Sequence, residues 1–192
     1  DILLALDVSK SMLAEDVSPN RLERAKRKII DFLKIVGGDR IGLIAFAGTS
    51  FLQCPLTLDH GAVQIFLDQV DTDLIPVAGT AISGAIEIAM KAFEKSERNS
   101  RALILITDGE DTVGKPLELA KKANEQGIKI YTIGIGKEGG APIPATGGGF
   151  KKDRAGNVVL TKLDEDSLQR VALETGGSYV RSVSGDLDLE KI

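Results

Sequence analysis

The sequence predicts an α/β fold: a doubly wound, Rossmann-like sheet of about six mostly parallel strands with one antiparallel edge strand and helices on both faces. Short apolar runs rich in β-branched residues, typical of buried parallel strands, lie at 2–6, 41–46, 102–106 and 128–135. Segments with helical spacing separate them, and right-handed crossovers then give a parallel sheet. With 192 residues, the chain is expected to form a single domain, 1–192.

Helix boundaries follow from capping residues and helix breakers. The first helix is predicted to begin after Asn20, with Glu23 three positions on as a capping box, and to end before Gly37 and Gly38. Apolar residues at helical spacing predict a second helix at 82–93. The remaining elements are a helix from Pro116 to Gly127, a helix capped by Asp164 that ends at Gly176, a short helix at 61–70 and a last strand at 178–181.

The antiparallel edge strand is predicted at 50–56. This segment follows a tight turn after the second strand, and Pro55 within it is tolerated at a sheet edge because proline lacks a backbone donor. Phe51 and Leu52 could either form an exposed apolar edge or pack inward, and we expect them to pack inward.

An insertion interrupts the alternation of strands and helices at 137–162. This segment contains six glycines and two prolines. A polar turn at 153–157 separates two short stretches that can pair, which predicts a β-hairpin near 145–161.

Composition limits the classes of function and partner. Acidic residues (28) outnumber basic ones (24), and the net charge of −4 argues against nucleic acid as a partner. The basic residues at 21–28 are expected to form a solvated helix face. Cys54 is the only cysteine, so no internal disulfide forms, and we expect its thiol to be buried.

The chain as given is expected to be a soluble piece of a longer protein. No apolar run approaches the roughly 18 residues that a membrane span requires. The chain begins at Asp1 with strand residues directly behind it, so we expect a domain excised from a longer, membrane-anchored protein.

Three segments place oxygen-bearing side chains where strands end or helices begin. Asp7, Ser9 and Ser11 form a D-x-S-x-S string directly after the first strand, Thr80 precedes a helix, and Asp108 ends another strand. Carboxyl ends of parallel strands are where such sheets bind ligands. Carboxylate and hydroxyl oxygens suit Mg²⁺, with Mn²⁺ or Ca²⁺ as alternatives at the same site. Ser9, Ser11 and Thr80 are neutral, so a metal bound by these residues would keep a coordination position for an acidic group from outside.

Other interpretations of these residues stay open. Asp7, Ser9 and Ser11 could only tie down a loop through bonds to the backbone. The acidic residues Glu15, Asp16, Glu110 and Asp111 could ring the site, but we expect them to act mainly as solubilising charge.

Two glycine motifs suggest nucleotide binding, but their context argues against it. Gly134, Gly136 and Gly139 spell G-x-G-x-x-G, yet prolines rather than a helix follow. The segment 109–115 matches the start of a phosphate-binding loop. However, Pro116 stands where a Mg²⁺-binding hydroxyl is needed, and two carboxylates would face the phosphates.

The same residues carry a family resemblance that spans nearly the whole chain. D-V-S-K-S at 7–11, A-G-T at 78–80 and L-I-T-D-G at 105–109 resemble the metal-ion-dependent adhesion site of von Willebrand factor A domains. The resemblance implies a doubly wound fold and a divalent metal held at five positions, which are Asp7, Ser9, Ser11, Thr80 and Asp108. It also implies a partner protein that offers Asp or Glu to the metal.

A narrower resemblance is to bacterial aerotolerance (Bat-type) proteins. It is carried by residues 12–16, 20–23 and 38–57, and by G-G-F-K-K-D in the insertion. It implies a bacterial inner-membrane protein, anchored by flanking helices absent from this chain, with the domain on the periplasmic side. Other Bat proteins and a MoxR-type ATPase are then the expected partners.

Three hypotheses of function follow. The first is a non-enzymatic, metal-dependent protein-interaction domain, since no usable base or nucleophile accompanies the site. The second is a metal-dependent phosphohydrolase in which Asp7 attacks phosphorus; Ser9 then stands where a second Asp would act as general acid. The third is a structural scaffold whose site is vestigial.

Overall fold

A computed structural model describes residues 1–94, 96, 100–112, 114–145 and 147–182. Eight strands lie within them: β1 (Ile2–Asp7), β2 (Ile41–Phe46), β3 (Ser50–Thr57), β4 (Arg101–Thr107), β5 (Ile128–Gly134), β6 (Ala141–Pro142), β7 (Leu160–Thr161) and β8 (Tyr179–Arg181). The α-helices are α1 (Arg21–Ile35), α2 (His60–Asp68), α3 (Ile82–Glu94), α4 (Pro116–Glu125) and α5 (Glu165–Glu174). None of the helices described is long and apolar enough to cross a bilayer.

The main sheet has six strands in the order β3-β2-β1-β4-β5-β8. All neighbours are parallel except β2 and β3, which pair antiparallel at the edge. The predicted doubly wound sheet with an antiparallel edge strand is therefore confirmed.

Helices cover both faces of this sheet, so the side chains of successive strand residues are buried on opposite faces. On β1, Leu4 and Leu6 pack in the cluster beneath α1 and α2. Leu3 and Ala5 pack in the cluster beneath α3, α4 and α5. Because both faces of the central strands are covered, their sequences are apolar throughout rather than alternating.

The predicted caps form as expected. The Asn20 side chain accepts a hydrogen bond from the backbone N–H of Glu23 at 2.8 Å, and Asp164 accepts one from Ser167 at 3.1 Å. Pro116 is the first residue of α4. These contacts are local, so the sequence pattern was sufficient to place them.

Two predictions about side-chain burial are wrong. Arg21 and Lys28 are buried rather than part of a solvated face. Phe51 and Leu52 are 46% and 39% exposed rather than packed inward, because the edge strand β3 leaves them outside both apolar clusters. Cys54 of the same strand is buried, as predicted.

The insertion contains the predicted hairpin and a third segment beside it. Lys152 bridges to Val158 across the polar turn, where the Asp153 N–H donates to the Asn157 carbonyl at 2.9 Å. The short strands β6 and β7 also pair, which brings residues 141–145 against the hairpin.

Candidate metal centre

Asp7 ends β1 at the point where the strand order of the sheet reverses. β1 lies between β2 and β4, so the carboxyl ends of β1 and β4 border the crevice in which such sheets bind ligands. The Asp7 side chain is fully buried there. Its Oδ1 accepts from the backbone N–H of Ser9 at 2.8 Å, and its Oδ2 accepts from the hydroxyl of Thr107 at 2.6 Å. These two bonds fix the orientation of the carboxylate.

Ser9 and Ser11 follow Asp7 in a loop that leads into a short 3-10 helix, Lys10–Leu13. Ser9 has an extended backbone, and the hydroxyl oxygens of the two serines lie 2.9 Å apart. The Ser11 hydroxyl also acts on the Asp108 carboxyl, whose pKa it lowers. The loop therefore brings two neutral oxygens to the ends of β1 and β4.

Thr80 lies in the loop before α3, and this loop is held from two sides. Its N–H donates to the Thr112 hydroxyl at 2.9 Å, and the Thr112 N–H donates to the Thr80 carbonyl at 3.0 Å. On the other side, the N–H of Gly48 donates to the Val77 carbonyl at 3.1 Å. Only glycine fits at position 48, because a Cβ would lie 2.5 Å from the carbonyl oxygen of Ala78.

The three hydroxyl-bearing residues line one cavity of about 340 Å³, together with residues of the loops around them. Ser9, Ser11 and Thr80 contribute to its wall, and the buried carboxylates of Asp7 and Asp108 lie behind the two serines. The structure thus brings the five predicted site residues to one end of the sheet, although they come from three separated segments.

Asp108 follows β4 and makes an ion pair that the sequence did not reveal. Its Oδ2 accepts from the Nη1 of Arg21 at 2.9 Å, and both side chains are fully buried. The same Nη1 donates to the hydroxyl of Thr161 at 3.0 Å, and that hydroxyl lies 3.2 Å from Asp108 Oδ2. The Asp108 carboxylate is therefore held by one residue of α1 and one of the insertion.

Arg21 also binds Asp16 in a two-point contact. The Nε and Nη2 of Arg21 donate to Oδ1 and Oδ2 of Asp16 at 2.9 and 2.8 Å. Asp16 Oδ2 accepts a further hydrogen bond from the backbone N–H of Lys137 at 2.7 Å. Asp16 is thus a structural ion-pair partner rather than solubilising charge. A cation in the first turn of a helix opposes the helix dipole, and this was the one signal in the sequence that Arg21 needs acidic partners.

Burial and mutual repulsion disfavour the charged forms of the two site carboxylates. Burial and, after it, the charge of Asp108 raise the pKa of Asp7 from 3.8 to about 7, although hydrogen bonds from Thr107 and Ser9 act in the opposite direction. Burial also raises the pKa of Asp108, against the hydrogen bond from Ser11 and the charge of Arg21. A cation placed beside these carboxylates would favour the ionised form of both.

The donor set fits a hard divalent cation. Two carboxylates and three hydroxyls supply only oxygen, which is the ligand type that Mg²⁺ and Ca²⁺ prefer. Within the described ranges, no group of three or more His, Cys, Asp or Glu side chains forms another candidate. The hydroxyls of Ser9, Ser11 and Thr80 would therefore be essential to a metal shell at this position.

The glycine motifs do not form nucleotide cradles. After Gly134, Gly136 and Gly139 the chain enters β6 rather than a helix, as the prolines indicated. Position 136 lacks a Cβ for another reason, since a Cβ there would lie 2.8 Å from Nε of Arg21. In the second motif, where residue 113 is outside the described part, the side chain of Glu110 is directed to the insertion and accepts hydrogen bonds from its residues 161 and 162.

Comparison with known proteins identifies the family. The family model described as von Willebrand factor type A domain matches residues 2–110, which is more than half of the chain. The chain belongs to the von Willebrand factor A family. The first of the two predicted resemblances is confirmed.

The second resemblance is confirmed by solved structures. This chain is 42% identical to an aerotolerance-related membrane protein from Bacteroides fragilis, with a TM-score of 0.91 and coverage of 95% of this chain and 91% of that one. It is 43% identical to the protein BatB from Bacteroides thetaiotaomicron, with a TM-score of 0.92 and coverage of 96% and 91%. These two structures are thus similar to this chain along nearly the whole length of both chains.

A curated relative shows that the domain occurs in longer proteins. A UPF0353 protein from Mycolicibacterium paratuberculosis is 30% identical over 97% of this chain, but the match covers 57% of that protein. The chain therefore spans a little over half the length of this relative.

Proposed function

We propose that this von Willebrand factor A domain is a non-enzymatic protein-interaction domain that binds an acidic group of a partner through a divalent metal. The metal would be Mg²⁺, with Mn²⁺ or Ca²⁺ as alternatives, and its ligands would be Asp7, Ser9, Ser11, Thr80 and Asp108. The observation that carries this proposal is the placement of three hydroxyl-bearing residues around one cavity, directly in front of two buried carboxylates.

The proposed metal ligands differ in charge. Ser9, Ser11 and Thr80 present neutral oxygens on the cavity side, whereas Asp7 and Asp108 supply negative charge from behind. Because Arg21 neutralises part of the charge on Asp108, the ligand set leaves a divalent ion electropositive toward the cavity. A metal bound there would supply Lewis acidity toward a carboxylate from outside.

The setting of this interaction is proposed from the family. The resemblance to Bat-type proteins and the name of the Bacteroides fragilis relative support a complex at a bacterial inner membrane that acts in aerotolerance or stress. Other Bat proteins and a MoxR-type ATPase are the proposed members of that complex. The domain would lie on the periplasmic side, anchored by segments of the longer protein.

The geometry favours binding over phosphoryl transfer. A nucleophilic Asp7 would have to contact the phosphorus directly, whereas Asp7 as part of a metal site could act through a bridging water. Its side chain is fully buried, Oδ1 accepts from Ser9 N–H, and Oδ2 accepts from Thr107. Ser9 occupies the position of the general acid, and its hydroxyl is too weak an acid to protonate a leaving group near neutral pH.

Metal binding is tested by thermal unfolding in Mg²⁺ and in chelator. At tenfold excess over its Kd, the metal should stabilise the folded state by about 1.4 kcal/mol, which raises Tm by about 4 °C for a domain of this size. Asp7→Ala and Thr80→Ala should abolish the shift. Thr72→Ala is the matched control, because Thr72 lines the same cavity but is outside the ligand set. An unchanged Tm in millimolar metal would instead favour the scaffold with a vestigial site.

A further inference from the structure

The insertion forms one wall of the cavity in front of the metal-site residues. Ile143, Lys151 and Val159, one from each of its three segments, line this cavity. Their backbones are joined in a ring: Lys151 N–H donates to the Ile143 carbonyl at 2.8 Å, Val159 N–H to the Lys151 carbonyl at 2.8 Å, and Ile143 N–H to the Val159 carbonyl at 3.4 Å. The three residues therefore lie at one level of the insertion, beside the candidate metal site.

Hydrogen bonds at its base hold the insertion in this position. The Lys162 N–H and the Thr161 hydroxyl donate to the two carboxylate oxygens of Glu110, both at 2.9 Å. At the other end, the Lys137 N–H donates to Asp16 at 2.7 Å. Glu110 lies shortly after β4, and Asp16 is bound by Arg21. The insertion is therefore fixed relative to the site.

Some charged residues of the cavity wall already have an ion-pair or hydrogen-bond partner. Lys10 makes an ion pair with Asp73, and Glu110 accepts the two bonds from the insertion. Lys151 is exposed, and its ammonium has no ion-pair partner among the residues that the structure describes. It is thus the cation of this wall that is available to a ligand.

We infer that the insertion is the second half of the docking surface, and that the partner is a protein segment with two acidic side chains. One acid would bind at the metal site, as the proposed function requires, and the second would bind Lys151. Val159, which is half-buried beside Lys151, would contact apolar atoms of the same segment. The insertion would then determine which acidic segments this domain accepts, because a single acid would leave Lys151 without a counter-charge.

Lys152 provides a matched control within the same segment. It is exposed like Lys151, but adjacent residues of an extended segment point to opposite sides, and Lys152 does not line the cavity. Lys151→Glu and Lys152→Glu therefore change the net charge equally and differ only in the surface that they alter. Neither residue belongs to the proposed metal ligands, so both variants should keep the thermal shift caused by Mg²⁺.

The inference is tested by selecting random heptapeptides displayed on phage against the wild-type domain and both variants, in Mg²⁺ and in chelator. The wild type and Lys152→Glu should enrich peptides with two acidic residues at a fixed spacing, only in Mg²⁺. Lys151→Glu should instead enrich peptides in which a basic residue replaces one of the two acids. A synthetic two-acid peptide should bind Lys151→Glu about fivefold to tenfold more weakly than wild type.

Two contrary results are distinguishable. Peptides enriched in Mg²⁺ that are the same for the wild type and Lys151→Glu would overturn the role of the insertion and leave the metal-dependent function standing. Absence of any enrichment that depends on Mg²⁺ would overturn both, and the thermal shift would then report separately on metal binding.

Discussion

Arg21 organises the charges behind the candidate metal site. Its guanidinium is completely buried and donates to Asp108 and Asp16 at once. A buried carboxylate without such a partner costs several kcal/mol, so Arg21 reduces the cost of burying the Asp108 charge, although burial still raises the pKa of that carboxyl. The same contact offsets part of the negative charge of the two carboxylates, so a divalent ion bound as proposed would still attract a further acid.

The contact between Asp16 and Arg21 predicts a specific pH dependence of stability. Burial alone would raise the pKa of Asp16, but the hydrogen bonds and charge of Arg21 and the N–H of Lys137 lower it overall. A lowered folded-state pKa contributes stability above the unfolded value, about 3.9, and this contribution is lost as pH falls through the lower folded-state value.

Asp16→Asn should therefore lower the free energy of unfolding by about 1.5–3 kcal/mol at neutral pH, as expected for loss of a charged hydrogen-bonded partner. The difference from wild type should be constant from pH 8 to pH 5 and should shrink below about pH 4. Urea unfolding at a series of pH values measures it. A difference that did not change with pH would mean that the charge of Asp16 is irrelevant.

At the scale of elements, the turn after β5 is shaped by the side chain of Arg21. Gly136 has a φ of 132°, and an added Cβ would lie 2.8–3.0 Å from atoms of the guanidinium. Gly139, three residues on, has no atom within 4 Å of an added Cβ. Of these two glycines of one sequence motif, only Gly136 is required by its surroundings, and that requirement does not involve a nucleotide.

Gly136→Ala should lower the free energy of unfolding by about 1–3 kcal/mol, because it adds backbone strain and displaces Arg21. Gly139→Ala should change it by less than about 0.5 kcal/mol. Chemical denaturation of both variants provides the comparison. Equal effects of the two substitutions would contradict the packing of Arg21 against position 136.

Local elements were predictable because their signals are local. Asn20, Pro116 and Asp164 mark helix starts through contacts within one turn, and the structure has helices starting there. Phe51 and Leu52 were predicted wrongly for the converse reason. Their exposure depends on which strand lies at the edge of the sheet and on what covers it, and neither is encoded in the segment itself.

At the scale of the whole molecule, the sheet lies between two clusters of buried apolar residues. Leu3 and Leu4 are adjacent on β1 and have the same side chain, yet Leu3 packs under α3 and its neighbours, whereas Leu4 packs under α1 and α2. Both are almost inaccessible to water. Substituting each of these two leucines therefore probes one of the two apolar layers.

Leu3→Ala and Leu4→Ala should each lower the free energy of unfolding by about 2–5 kcal/mol, since both leave a cavity in a packed layer. Urea unfolding monitored by circular dichroism gives both values. Were one substitution to cost less than about 1 kcal/mol, that face of the sheet would be covered more loosely than the structure indicates.

The sequence by itself determined the order of strands and helices, the helix caps, and five oxygen-bearing residues at strand ends or helix starts. These features depend on periodicity and on neighbours a few positions apart. Only the tertiary structure decided that Arg21 would pair with Asp108, 87 positions away, and contact Thr161, 140 positions away. It also decided that the insertion lies beside the cavity. Such contacts form when distant segments are packed together, and no local pattern specifies which segments will meet.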